Sequence, residues 1–355
     1  MPMSLWEFTC TMANFTGTSA ADDLTGTTLD DVISGRDGAD KISGDAGADA
    51  IWSGKGDDVA DGGSGMDLLH GNSGNDRLYG GDDNDYISGD SGDDHLYGDA
   101  GDDDISGGSG SDVMYGGLGN DVMRGNSGND QLFGGDGNDD IRGGTGNDAL
   151  DGGAGDDAVY GNSGDDLIFA SLGNDTLSGG SGFDTIDYSA ADAALTVDLS
   201  KKSVTGFGDD KVSGFEHFIG SDFADTIKGS KAAETINGGA GDDVIRGLGG
   251  ADELIGGKGA DTFVWGANDV MQNGIHQGVD TIMDFGSNDK LDVRNLIKGL
   301  TFDYVEEVVM IDEDADSNPV LMVDFGKGFE TVAVLHIDPD VSFGRLMSED
   351  YLLVS

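Results

Sequence analysis

The chain has 355 residues, of which 64 are Gly and only 3 are Pro, and its 70 acidic against 18 basic residues leave a formal net charge of −52. So much like charge opposes compaction. It excludes a nucleic-acid partner, which needs clustered Lys and Arg, and it repels an anionic membrane surface. A divalent cation is the natural counter-charge, and carboxylates with backbone oxygens suit a hard ion such as Ca2+.

Residues 1–15 have neither a basic region nor a long apolar run, so they do not read as a Sec signal peptide. Cys10 is the single cysteine and excludes an internal disulfide framework. No apolar stretch reaches transmembrane length.

From Gly17 the chain repeats every nine residues, giving 19 contiguous units up to Asp187. The unit reads G-G-x-G-x-D-x-U-x with U apolar, as in residues 71–79 (GNSGNDRLY), 134–142 (GGDGNDDIR) and 152–160 (GGAGDDAVY). Position six is Asp in all 19 units, from Asp22 to Asp184, and position eight is apolar in all 19, with Ala60 the one small residue. Position one is Gly in 17 units (exceptions Ser53 and Ala170) and position four in 16 (exceptions Ala20, Leu29 and Asp83). Two of those three lapses fall in the first two units, as expected of capping repeats. A flexible low-complexity tract would not keep an apolar residue two places after every Asp.

Gly permits left-handed backbone angles and leaves room for a close ion. Turn carbonyls can then point inward as hard ligands, and Asp supplies the charge a neutral turn lacks. The x-U-x segment is a short strand with one buried side chain, stable only when stacked on its neighbours. Residues 188–219 are less regular, with one degenerate unit around Asp210 and a β-like stretch at 195–199. A second run starts at Gly220 and holds five units to Val264, with Asp225, Glu234, Asp243, Asp252 and Asp261 in position six.

Over residues 17–265 this unit resembles the RTX nonapeptide of secreted haemolysins, serralysin-type proteases and alginate epimerase modules. The resemblance implies an all-β fold, a parallel β-roll (RTX β-helix) solenoid with two sheets, and a small β-rich C-terminal cap. In that family two nonapeptides make one coil. Each Ca2+ lies between successive turns, held by the position-six Asp and by carbonyls near positions one, three and five. The implied metal ligands here are Asp40, Asp49, Asp58, Asp67, Asp76, Asp85, Asp94, Asp103, Asp112, Asp121, Asp130, Asp139, Asp148, Asp157, Asp166, Asp175 and Asp184, then Asp243, Asp252 and Asp261. Asp22, Asp31, Asp225 and Glu234 sit in units without Gly at position four and are left out; Asp83 replaces that Gly in the unit of Asp85. Roughly 18 ions of +2 would supply about +36 against −52. The expected organisation is a leader (1–16), a first repeat block (17–187), an irregular connector (188–219), a second block (220–265) and a capping region (266–355).

With 18 residues per coil, Tyr79, Tyr97, Tyr115 and Phe133 fall on one face; Asp151 interrupts and Phe169 resumes. Such rings would stand about 4.8 Å apart, either stiffening the roll or forming a stripe that binds sugar or another copy. From Gly266 the period is lost. Residues 280–293 (DTIMDFGSNDKLDV) resemble the closing segment of serralysin-like RTX domains. There Asp280, Asp284, Asp289 and Asp292 either ligate another ion or lie around a buried Ile282, Phe285 and Leu291. Strands are predicted at 301–311, 320–324 and 331–337. Asp312, Asp314 and Asp316 open like an EF-hand, but Ser317 stands where Gly is required, so they read as an acidic turn. The ending Glu349-Asp350-Tyr351-Leu352-Leu353-Val354-Ser355 is similar to uncleaved type I secretion signals.

No H-E-x-x-H or G-x-S-x-G motif is present, and His70, His95, His217, His276 and His336 are scattered. The 16 residues ahead of the repeats leave no room for the catalytic domain that RTX enzymes carry there. The expectation is a non-enzymatic, secreted, extracellular Ca2+-binding protein, exported through an ABC-type type I secretion machinery and folding on Ca2+ outside the cell. Its expected role is a surface, matrix or host-interaction component, with extracellular polysaccharide or a cell surface as candidate partner. The alternatives are a pore-forming toxin-type protein, which needs an amphipathic or apolar membrane segment, and a polysaccharide-binding module derived from an RTX enzyme.

Overall fold

The computed structural model describes residues 12–272, 275–296, 298, 309–313, 319–324, 329–337 and 352–353. It divides into two compact units, residues 1–166 and 167–355. Each is built mainly of parallel strands wound as a two-sheet β-solenoid. The one α-helix among the described residues is the single turn Ala267–Val270.

In the first unit every strand pairs with the strand 18 residues away. Ala50–Lys55 pairs with Leu68–Ser73, which pairs with Tyr86–Ser91. The strands between them, Arg77–Asp82, His95–Ala100 and Val113–Leu118, make the other sheet in the same register. Nine residues thus carry the chain from one sheet to the other, and two nonapeptides close one coil. The period-two alternation sends position eight inward from both sheets. Ile51, Leu69 and Ile87 from one sheet and Leu78, Leu96 and Met114 from the other are wholly buried. Each such side chain contributes about 1.5–3 kcal/mol of burial. Most strands here run six residues rather than the three expected, continuing from position seven through position three of the next unit, because the paired turns keep hydrogen bonding after Gly of position one.

The second unit keeps this plan but absorbs two insertions. Thr176–Ser181 pairs in parallel with Asp209–Ser213, at an offset of 35 residues. The extra chain forms an antiparallel meander, Thr196–Asp198 to Ser203–Thr205 to Asp209–Ser213. Its Val197, Val204 and Val212 continue the buried line. The second insertion explains the period lost at Gly266. Glu253–Ile255 pairs with Asp280–Phe285, and Thr262–Val264 with Lys290–Asp292, both at an offset of 28 residues. One more coil therefore follows, with Ile282 and Leu291 in the buried line. Beyond it, Val309–Glu313, Pro319–Asp324 and Phe329–Ile337 form an antiparallel set whose last strand pairs with Asp280–Phe285. Of the acidic turn, Asp314 and Asp316 lie outside the described residues, as does the ending expected to act as a secretion signal, apart from Leu352–Leu353, which pairs with Leu291 and Asp292.

Candidate metal centres

Two residues per turn set the backbone path. Position two is left-handed in most units: Gly63 (φ 106°) and Gly81 (φ 117°), but also Asn72 (φ 70°), Asp90 (φ 69°) and Asp99 (φ 72°). Asn and Asp tolerate that region, so position two varies. Position four reaches φ values such as 139° at Gly92 and 148° at Gly101, where a side chain is strained. A Cβ on Gly92 would also collide with the carbonyl of Gly74 one coil earlier. Asp83 keeps its turn by adopting φ 77°.

The position-six carboxylates are the buried charges of the fold. From Asp40 to Asp184, and at Asp243, Asp252 and Asp261, none is more than 4% exposed. Their two oxygens have different partners. Oδ1 accepts from the main-chain N–H of the Asp one coil earlier: Asp76 donates to Asp94 at 2.7 Å, and Asp94 to Asp112 at 2.8 Å. Oδ2 points at position one of its own unit. A Cβ on Gly89 would overlap Asp94 Oδ2 and would stand 2.7 Å from the carbonyl oxygen of Gly107, position one of the next coil. The same cradle recurs at Gly62 with Asp67 and Gly80, and at Gly238 with Asp243 and Gly256.

Fifteen of these Oδ2 atoms, those of Asp40, Asp49, Asp58, Asp67, Asp76, Asp85, Asp94, Asp103, Asp112, Asp121, Asp130, Asp139, Asp148, Asp243 and Asp252, are buried with no hydrogen-bond partner. An unpaired buried carboxylate oxygen facing a carbonyl oxygen is strongly unfavourable without a cation between them. A hard divalent ion fits that donor set. It would be held by Oδ2 of position six and by the position-one carbonyl of the following coil, and when bound it supplies the positive charge the turn lacks. No three His, Cys, Asp or Glu side chains converge as a metal group among the described residues. Each turn brings its position-six carboxylate together with main-chain oxygen.

The remaining expected ligands lie in the same ladder. Oδ1 of Asp157, Asp166 and Asp261 accepts from Asp139, Asp148 and Asp243 at 2.8, 2.8 and 2.9 Å. Asp184 Oδ2 lies beside Gly179. In the unit of Asp175, buried Ala170 brings into position one the Cβ that Gly omits. The electrostatics follow from burial. It pushes Asp67, Asp76 and Asp121 up to about 7, and Asp85 and Asp94 up to about 8, with neighbouring carboxylates adding to the rise. Asp31 is different. Burial raises it, but hydrogen bonds from Thr27 and Ala13 outweigh that and leave it below the ordinary value.

Three features were not read from the sequence. Position five carries a second ladder of opposite sense, in which a side-chain oxygen accepts from the N–H one coil later. Asp93 donates to Asn75 Oδ1 at 3.0 Å and Ser111 to Asp93 Oδ1 at 2.8 Å. The Asn, Asp and Ser residues common at position five were the available signal. Ser53, a lapse at position one, has a buried Oγ without a hydrogen-bond partner in the unit of Asp58, an added oxygen in that turn. Finally, Asp280 and Asp289, nine apart, continue the position-six ladder, accepting from the N–H of Asp252 and Asp261. With Asp284 bound to Gly256 and Gly257 and Asp292 to Arg294, these four acids do not gather around one point.

The aromatic ladder forms. Tyr79, Tyr97, Tyr115 and Phe133 stack with centroids 4.7, 5.2 and 5.1 Å apart and planes within 12° of parallel. The inner faces are occupied by neighbouring rings, so the stripe offers edges rather than faces to a ligand. On the other sheet His70 stacks on Trp52 and its Nδ1 lies 3.1 Å from Asp90 Oδ2.

The model of the RTX calcium-binding nonapeptide repeat matches residues 16–60, 61–96, 88–123, 97–132, 115–150, 133–168, 151–186 and 229–263. No curated protein matches the chain. Among solved structures, the extracellular lipase LipA from Serratia marcescens is similar at 17% identity and a TM-score of 0.22, over 69% of this chain and 45% of the lipase. The chain thus spans under half of that protein, and a likeness this slight says nothing of activity. The repeat model covers more than half of the sequence and meets, turn by turn, the carboxylates described above: the chain belongs to the family of RTX calcium-binding nonapeptide repeat proteins.

Proposed function

We propose that the chain is a secreted Ca2+-binding protein that stays unfolded at the low Ca2+ of the cell interior and winds into its solenoid outside, where it serves as a surface, matrix or host-interaction component without catalytic activity. The observation that carries the reading is the row of buried, unpartnered Oδ2 atoms, most of them beside a carbonyl oxygen of the next coil. Without cations that row opposes folding; with them it links every coil to the next, so metal binding and folding are one equilibrium. The ligands are the twenty position-six Asp residues named above, and the ions number several per chain. Extracellular Ca2+ modules have Kd values of about 10⁻⁴–10⁻³ M, which suits a fold that assembles only after export by a type I machinery. Among the described residues no helix is long and apolar enough to cross a membrane.

A Ca2+ titration followed by far-UV circular dichroism tests the proposal. The expected result is a cooperative gain of β signal toward millimolar Ca2+ that chelator reverses. A β signal unchanged by chelator would refute it.

A further inference from the structure

Four turns close their carboxylate in another way. In the units of Asp22, Asp31, Asp225 and Glu234, position two is Thr18, Thr27, Ser221 or Ser230. The main-chain N–H of that residue donates to the acid at 2.6, 2.6, 2.8 and 2.8 Å. The hydroxyl also donates to the carboxylate, at 3.0 Å from Thr18, 2.9 Å from Thr27 and 2.8 Å from Ser221. The same hydroxyl accepts from the N–H of position four: Ala20 and Leu29 at 3.2 Å, Phe223 and Ala232 at 3.1 Å. The backbone differs accordingly. In these four units neither position two nor position four has a positive φ, whereas most other turns have it at both. None of the four acids has a buried oxygen without a partner.

We infer that these four turns are closed by hydroxyl and amide hydrogen bonds instead of an ion, and that Ser or Thr at position two with a non-Gly residue at position four marks an ion-free turn. The inference rests on the Ca2+ reading of the other turns. Its chemistry is substitution: two N–H or O–H donors satisfy the carboxylate that a cation satisfies elsewhere. Two further acids show the same replacement. Tyr188 donates its buried hydroxyl to Asp210 Oδ2 at 2.7 Å, and Trp265 Nε1–H donates to Asp280 Oδ2 at 2.7 Å. The placement is systematic. Residues 17–34 and 220–237 are each one complete coil, and each heads a run of ion turns. Each run is therefore led by a coil whose closure does not depend on metal.

The test counts Ca2+ bound per folded chain, by equilibrium dialysis with elemental analysis, in the full-length protein and in four variants. Asp31→Asn and Asp225→Asn are expected to keep the wild-type count, Asp76→Asn to lose at least one ion, and the double variant Thr27→Gly with Leu29→Gly to gain one. Circular dichroism at the same Ca2+ confirms that each variant is folded. A lowered count in folded Asp31→Asn or Asp225→Asn overturns the inference, and so does a double variant that gains nothing. A wild-type chain that binds no Ca2+ defeats the underlying reading instead, so the two failures are distinct.

Discussion

The substitution Asp94→Asn probes the ion turns most sharply because its effect changes sign with Ca2+. Asp94 is fully buried, its Oδ1 accepts from Asp76, and its Oδ2 shares the Gly89 cradle with the Gly107 carbonyl oxygen. Asn keeps the Oδ1 acceptor and turns Oδ2 into an N–H donor facing that carbonyl. Above about pH 8, where Asp94 is ionised in the metal-free fold, two acceptors in conflict become a hydrogen bond and that fold gains about 1–3 kcal/mol. The variant also loses the anionic ligand. An ion contributes about 2.7 kcal/mol at 100 times its Kd and about 4.1 kcal/mol at 1,000 times. Each ion adds about 1.4 kcal/mol per further tenfold rise in free Ca2+. Plotted against log free Ca2+, the unfolding free energy of Asp94→Asn starts above wild type near the Kd, rises less steeply by about 1.4 kcal/mol per decade for each ion lost, and crosses below it. Urea unfolding followed by far-UV circular dichroism over a series of buffered Ca2+ concentrations measures both slopes. Parallel lines would mean that Asp94 holds no ion.

Proton and metal should compete. Folded-state values of about 7 at Asp67 and Asp76 and about 8 at Asp85 and Asp94 lie above the ordinary 3.8, so the metal-free fold binds more protons than the unfolded chain. Its stability is greatest below about pH 4 and falls as pH rises toward 8; metal-free protein should gain β signal on acidification, and a signal that instead grows with pH contradicts the reasoning. Leu96→Ala empties part of the buried line and should cost about 2–5 kcal/mol at saturating Ca2+, read as a lower urea midpoint. Tyr97→Ser breaks two stacking contacts and should cost about 0.5–1.5 kcal/mol for each, with the bound Ca2+ count unchanged. Gly101→Ala places a side chain at φ 148° against the Asp83 carbonyl and should raise the Ca2+ needed for folding; an unchanged titration midpoint refutes the account of position four.

The coil was legible because each nonapeptide writes its geometry locally. Asp94 with Leu96, or Asp112 with Met114, shows acid and core two places apart, and the 18-residue register follows from stacking. The connector was not legible. Val197, Val204 and Val212 belong to the same buried line, but the chain reverses between them, and no fixed spacing marks that. The coil carrying Ile282 and Leu291 was hidden by its insertion, although Asp280 and Asp289 keep the nine-residue interval. Among the turns, the missing Gly at Ala20, Leu29, Phe223 and Ala232 signalled a departure. What replaces the ion depends on where the neighbouring hydroxyl points, which is set by the fold of the turn and not by residue type alone.

The alternation of successive nonapeptides between two sheets sets a rule for how such a gene can lengthen. Duplicating one nonapeptide supplies a new bend and a new acid, but it moves everything downstream to the opposite side of the molecule. Tyr97 and Tyr115 would part company if nine residues were inserted between them, and would only be spaced out by eighteen. Surface pattern is thus inherited in pairs of units, and single-unit gains or losses redraw what the protein shows to its surroundings.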